Sequence, residues 1–272
     1  MTSFSAEVKR ARPALGTLVT LQFHSVTESE VEACVQGAFQ LIEQLEGQLS
    51  KFRETSDVAR INAAALLEEI PVGQAFCATL SLAEDLWRES QGAFNPFAGM
   101  DFSGGFPIEC QAGLAKKLNS CELDLSGIAK GYVVDRVVDW ISGCAPQLSG
   151  VLNAGGDLRF FNCTDRQAQI RISGRELLRE IQLSCSALAT SSFSEMLGDT
   201  KSSTRYHQAP RKGLKQTFTL AALHDCCALA DGLTKVGWFA SPEITQQVVQ
   251  HFSGAILILD EQGDMHEKFV VS

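Results

Sequence analysis

The run Asp124-Leu125-Ser126-Gly127-Ile128-Ala129-Lys130-Gly131-Tyr132 sets a carboxylate, a hydroxyl and an ammonium close together. An acid ends an apolar stretch, small residues turn the chain, and a helix begins with Lys130 in its first turn. The first N–H groups of such a helix are unpaired and carry the positive end of its dipole, so the start can hold a phosphate. The G-x-x-x-x-G-K-[ST] order of a Walker A loop is absent. Simple capping of the helix by Asp124 and Ser126 also accounts for these residues. Asn153-Ala154-Gly155-Gly156-Asp157 is a second candidate. Its paired glycines permit positive φ, either for close approach of a ligand or for a tight hairpin. In Ala230-Asp231-Gly232-Leu233-Thr234-Lys235, Asp231 and Thr234 share one helical face, and their oxygens suit a hard cation such as Mg2+. The bland alternative is an Asp near a helix start with Lys235 as its solvent partner. A fourth candidate is the basic stretch Lys201 to Lys215, with Arg205, Arg211, Lys212, Tyr206 and His207 inside it. It is either a phosphate-binding patch or a solvated loop.

These groups need elements to position them. Leu15 to Phe23 reads as a strand. Thr27 caps a long helix from Glu28 to about Leu49, whose stripe is Val31, Val35, Ala38, Ile42, Leu45 and Leu49. Helices are predicted over Asp57 to Ala65, Phe76 to Ser90, Gly127 to Ser142, Asp225 to Trp238 and Pro242 to His251. Strands are predicted at Cys121 to Leu125, Ser149 to Ala154, Asp157 to Phe161, Ala168 to Ile172, Glu180 to Leu183, Thr217 to Leu223, Ala255 to Asp260 and Lys268 to Val271. Gln91 to Asn119 is rich in Gly and Pro and reads as a long irregular segment. Its Phe94, Phe97, Phe102 and Phe106 point to a loop packed on the body or around a flat ligand. Helices and strands mix without βαβ alternation, which favours an α+β class. No linker or repeat divides residues 1–272, so one domain is expected.

The chain has 272 residues with 45% hydrophobic and 20% charged, enough for a sizeable core. Its net charge of −9 argues against a nucleic-acid partner or an anionic membrane surface. No apolar run is long enough for a membrane span, and Met1 to Pro13 carries no secretory signal pattern. Nine cysteines lie scattered without CxxC spacing, which suits reduced thiols and a cytoplasmic location.

Taken in order, several segments resemble the ApbE-like family, the FAD:protein FMN transferases. They are Ala14-Leu15-Gly16-Thr17, Leu49-Ser50-Lys51-Phe52-Arg53 with Ile61-Asn62, Gly92-Ala93-Phe94-Asn95-Pro96, Asp124 to Tyr132, Leu152 to Asp157, and Ala230-Asp231. The resemblance implies an α+β fold of the T-fold type. It implies Mg2+-dependent splitting of FAD, with FMN joined through its phosphate to a Thr or Ser of an acceptor flavoprotein and AMP released. It puts flavin contacts on Leu15, Phe52, Ala93, Phe94, Asn95, Asp124 and Lys130. It puts metal ligands on the Gly127 carbonyl and the Asp231 carboxylate, with Thr234 nearby.

Departures from the family pattern bear on activity. The family has Met at Leu15, Tyr at Phe52 and Asp at Asn95. Its metal-binding Thr falls on Lys235, and Thr234 stands one place early. Its His followed by two aliphatics and Asp-Pro is shortened here to His207-Gln208-Ala209-Pro210, with His207 as the general-base candidate beside Asp231 in the catalytic set. Transfer is the expected activity. Two alternatives are an FAD-binding protein without transfer and a Mg2+-dependent FAD pyrophosphatase giving FMN and AMP.

Overall fold

Strand β1 (Glu7–Ala14) turns through Leu15 and Gly16 into β2 (Thr17–His24). Both turn residues have positive φ, 55° for Leu15 and 69° for Gly16, which suits the right-handed twist of the two strands. Strand β1 is absent from the sequence reading for a physical reason. It is an edge strand with Val8 its one buried residue, so it shows no apolar alternation and is held by backbone pairing. The computed structural model describes residues 7–24, 26–97, 100, 105–172, 177–192 and 210–271.

Six helices and thirteen strands lie among the described residues. The helices are α1 (Glu28–Leu49), α2 (Asp57–Ala63), α3 (Gln74–Glu89), α4 (Ala129–Cys144), α5 (Cys227–Phe239) and α6 (Pro242–Phe252). Helix α1 starts at a capping box in which Thr27 and Glu30 satisfy each other's backbone N–H groups. The remaining strands are β3 (Ile70–Pro71), β4 (Ile108–Gln111), β5 (Leu114–Lys117), β6 (Ser149–Ala154), β7 (Asp157–Phe161), β8 (Gln167–Arg171), β9 (Leu178–Gln182), β10 (Ala187–Ser192), β11 (Thr219–His224), β12 (Ala255–Leu259) and β13 (Met265–Val270).

Eight strands form one sheet in the order β1-β2-β6-β7-β10-β11-β12-β13, with antiparallel neighbours throughout. The expected α+β class is therefore observed. Helices α1, α4 and α5 cover one face through an apolar cluster that includes Leu21, Phe23, Ile42, Val134, Leu152 and Trp238. The β8–β9 hairpin covers part of the other face through Leu158, Phe160, Ile170, Leu188 and Leu257. Beside it lies an open cavity of about 1310 Å³, lined by Thr20, Gln22, Asn153, Gln167 and Thr190 among others. Asp124, Lys130 and Asp231 do not line that cavity. No helix among the described residues is long and apolar enough to cross a membrane.

Two sequence expectations are corrected, and one strand is added. The segment Gln91 to Asn119 is not irregular throughout, because β4 and β5 form a hairpin inside it through Ala112 and Gly113, both at positive φ. Cys121 to Leu125 is not a strand. Leu123 makes one isolated bridge to Phe97, and its backbone is held instead by the Asn62 side chain at 2.8 and 2.9 Å. Strand β10 has no counterpart in the sequence reading. Its small residues are buried on both faces, which erases the two-residue alternation.

Candidate active site

Two tight turns meet at one end of the large sheet. Gly155 and Gly156 form the β6–β7 turn with φ of 68° and 105°. A Cβ on Gly155 would lie 2.4 Å from the Thr17 Oγ1, and one on Gly156 would lie 2.5 Å from the Thr190 Oγ1. The paired glycines thus serve a hairpin wedged between β2 and β10. That turn delivers Asp157 at the start of β7, buried with 1% exposure.

Lys130, in the first turn of α4, reaches Asp157 at 2.5 Å. The N-cap residue Ile128 makes no side-chain cap hydrogen bond. Asp124 Oδ1 accepts from the Ser126 N–H at 2.9 Å and so shapes the turn before the helix rather than capping it. On the neighbouring helix α5, Asp231 is fully buried and Lys235 donates to its Oδ1. Its Oδ2 has no hydrogen-bond partner among the described residues. Lys235 is only 8% exposed, so it is a buried partner rather than a solvent one.

These four groups act on one another's charge. Burial pushes the Asp157 carboxyl up to about 6, and Asp231 adds to the rise while Lys130 and Lys235 oppose it. Burial lowers the Lys130 ammonium, but Asp157 and Asp231 more than offset that, and the net shift is upward. Lys130 is therefore a fixed positive charge at neutral pH.

Helices α4 and α5 are locked together around this cluster. A Cβ on Gly131 would lie 2.4 Å from the Cys227 carbonyl oxygen, so only glycine permits the approach. The buried Asp135 carboxylate accepts from the Cys227 and Ala228 N–H groups, both at 2.8 Å, and from the Cys226 thiol at 3.1 Å. A residue of one helix thereby supplies the cap of the next. Arg159 pairs with Asp135 at 3.0 Å and with Asp139 at 2.9 Å.

A second group of polar contacts surrounds Asp124. Lys51 donates to its Oδ2 at 2.5 Å, and its backbone N–H donates to the Pro96 carbonyl at 2.8 Å. The Leu15 N–H donates to Glu46 Oε1 at 3.2 Å, and Glu46 also pairs with Arg53 at 2.9 Å. Lys51 and Pro96 thus tie Asp124 to the segments that carry Phe52 and Asn95, and Glu46 ties Leu15 to Arg53.

A family model described as the ApbE family matches residues 15–103 and 104–258. The chain belongs to the ApbE family. Among curated relatives, the FAD:protein FMN transferase of Treponema pallidum (strain Nichols) is 28% identical over 185 residues, covering 56% of this chain. The chain spans about half the length of that relative, 51%. Among solved structures, a mutant of the flavin transferase ApbE from Vibrio cholerae superposes with a TM-score of 0.77 at 18% identity, covering 98% of each chain. The ApbE protein from Thermotoga maritima gives a TM-score of 0.77 at 19% identity, covering 96% of this chain and 97% of that one.

Within this ApbE-family chain the expected flavin contacts differ in availability. Phe52 is 66% exposed, with the Lys51 ammonium 5.3 Å from its ring centroid. Ala93 lies in the turn after α3, half-buried. Phe94 is buried in the core at 1% exposure, so its ring presents no free stacking face. Phe97 and Phe106 pack on each other at 4.9 Å, and Phe106 on Trp87 at 5.6 Å. The described part of the aromatic loop thus packs on the body, while Phe102 lies outside the described residues. Asn95 spends its amide on its own turn, donating to the Met100 carbonyl at 2.8 Å and accepting from the Phe97 N–H at 2.9 Å. The base candidate His207 lies outside the described residues. Of the basic stretch, Arg211 pairs with Glu267 at 2.5 Å and Lys215 approaches Glu261 at 3.7 Å, so neither is a free cation.

The Mg2+ that the resemblance implies does not fit these residues as they are arranged. Gly127 is buried in the turn before α4, and Thr234 gives its hydroxyl to the Asp231 carbonyl at 2.7 Å. Asp231 Oδ1 is taken by Lys235, which leaves Oδ2 as its one carboxylate oxygen without a partner among the described residues. Unit charges roughly 4 Å apart interact by about 4 kcal/mol at an effective dielectric of about 20, and a divalent ion doubles the repulsion from that ammonium. No group of three or more His, Cys, Asp or Glu suited to a metal occurs among the described residues. Neither Asp157 nor Lys51 stands out in the sequence. The Lys130–Asp157 pair spans 27 positions and the Lys51–Asp124 pair 73, so no local spacing announces either. The four-residue spacing of Asp231 and Lys235 was a usable signal.

Proposed function

We propose that the chain transfers FMN from FAD to a Thr or Ser hydroxyl of an acceptor flavoprotein, with release of AMP. The observation that carries this reading is the Lys130 ammonium, partly exposed in the first turn of α4 and held there by buried Asp157. The name of the Treponema relative supports it. Attack on a pyrophosphate phosphorus between anionic oxygens needs charge neutralisation more than covalent help. Lys130 and the unpaired N–H groups at the start of α4 supply that without reorganisation. The acceptor oxygen forms the new bond to the FMN-side phosphorus, the bond to the bridging oxygen breaks, and AMP leaves with the electron pair. His207 takes the hydroxyl proton; an imidazole that titrates near ~6.5 is competent for this at neutral pH. The isoalloxazine lies against exposed Phe52, with Asp124 and its Lys51 partner beside it. The same proposal places the protein in the cytoplasm, since nine unpaired cysteines suit a reducing compartment.

A water in place of the acceptor would give hydrolysis to FMN and AMP, and the shortened segment after His207 favours that second reading or simple FAD binding. One experiment separates them. The protein is incubated with FAD in excess Mg2+ and in EDTA, with and without an acceptor flavoprotein, and AMP and protein-linked FMN are measured. Acceptor-dependent AMP matched by covalent FMN is expected. AMP without an acceptor would establish hydrolysis, and FAD binding with no AMP under any of these conditions would refute both enzymatic readings. His207→Ala is expected to lower transfer by about 10²–10⁴ while leaving FAD affinity within a few-fold.

A further inference from the structure

We propose that Lys235 is the resident cation of this site, its ammonium neutralising Asp231 where a divalent ion would otherwise stand. This goes beyond the transferase reading and does not depend on it. Asp231 and Lys235 are both buried, one turn apart on α5, with the acid on the N-terminal side as the favourable order requires. Either charge alone in that position would be costly, so each holds the other in place. The local charges already sum to zero, since two carboxylates, Asp157 and Asp231, face two ammoniums, Lys130 and Lys235. A divalent ion added without expelling Lys235 would leave that buried cluster with an uncompensated charge of its own.

Helix α5 packs closely on both sides of Lys235. A Cβ on Gly232 would lie 2.3 Å from Leu86 Cδ1, and one on Gly237 would lie 2.7 Å from Leu220 Cδ2. The helix is therefore packed tightly on α3 and on the sheet on either side of Lys235. At its N-terminal end Asp135 fixes the first N–H groups. With the helix packed at three places, Asp231 and Lys235 keep their one-turn spacing, and burial of both leaves each as the other's partner. An anionic ligand at the start of α4 meets the partly exposed Lys130 side chain, while Lys235 stays buried against Asp231.

The test uses the full chain and Mn2+ as the probe, with free Mn2+ followed by electron paramagnetic resonance. In the wild-type protein no Mn2+ site depends on Asp231, so Asp231→Asn leaves the isotherm unchanged. Lys235→Ala frees the carboxylate and creates a site at least ten-fold tighter than any in the wild type, and adding Asp231→Asn removes it. Lys235→Thr gives the same gain if the alanine variant does not fold. A wild-type Mn2+ site that is lost in Asp231→Asn overturns the proposal, as does a folded Lys235 variant that gains no site. In parallel, FAD affinity measured by calorimetry is expected to agree within two-fold in EDTA and in excess Mg2+. A ten-fold tightening by Mg2+ in the wild type, absent in Asp231→Asn, overturns it. Failure of FAD to bind under any condition refutes the transferase reading, and the Mn2+ titrations still decide the role of Lys235.

Discussion

Replacing Asp135 by alanine removes the carboxylate that joins α4 to the start of α5. Two buried N–H groups, on Cys227 and Ala228, lose their acceptor, each now 2.8 Å from a carboxylate oxygen. A buried donor left unsatisfied costs about 1–3 kcal/mol, so the pair costs about 4 kcal/mol. The Cys226 thiol is a weak donor and adds little. Arg159 also adds little, because it keeps Asp139 at 2.9 Å. At roughly 2–4 °C per kcal/mol for a chain of this size, the melting temperature is expected to fall by about 8–16 °C. Differential scanning calorimetry with urea unfolding measures both quantities. Asp135→Asn keeps one oxygen acceptor and is expected to lose about half as much. A loss below about 1 kcal/mol in Asp135→Ala would show that the start of α5 is not held by this carboxylate, and the account of how Asp231 is positioned would fail with it.

Gly131→Ala places a methyl against the Cys227 carbonyl and the Ala228 backbone, neither of which can rotate away. We expect it to cost about 1–3 kcal/mol by urea unfolding and to weaken FAD binding by displacing α5; unchanged stability would contradict the described helix approach. Burial, with the Asp135 carboxylate adding to it, pushes the Cys226 thiol up to about 12. A raised acid stays protonated, so at pH 8 only about 10⁻⁴ of it is thiolate, and alkylation of the native protein by iodoacetamide should leave Cys226 unmodified while exposed Cys144 reacts. Mass spectrometry of the labelled peptides checks this, and rapid labelling of Cys226 at pH 8 would refute it.

Local pattern carries far in this chain. The apolar stripe from Val31 to Leu49 is a helix because apolar residues recur at its period, and β6, β7 and β12 follow from short apolar runs. The ordered motifs were enough to point to the family, since each lies within a few residues of sequence. Strands β1 and β10 were hidden because their evidence lies in neighbouring strands, one being an exposed edge and the other small-residued and buried on both faces. The site divides in the same way. Asp124, Lys130 and Asp231 stand out by residue type and position alone. What Asp124 and Lys130 touch was decided by packing between segments distant in sequence, and the burial of Asp231 with Lys235 by the packing around α5. Tertiary packing brought Asp157 to Lys130, buried Lys235 with Asp231, and put Phe94 in the core while leaving Phe52 outside. A side chain's type is local information. Its burial, and therefore the charge it can keep and the partner it must have, is set by residues distant in sequence that the tertiary structure brings against it.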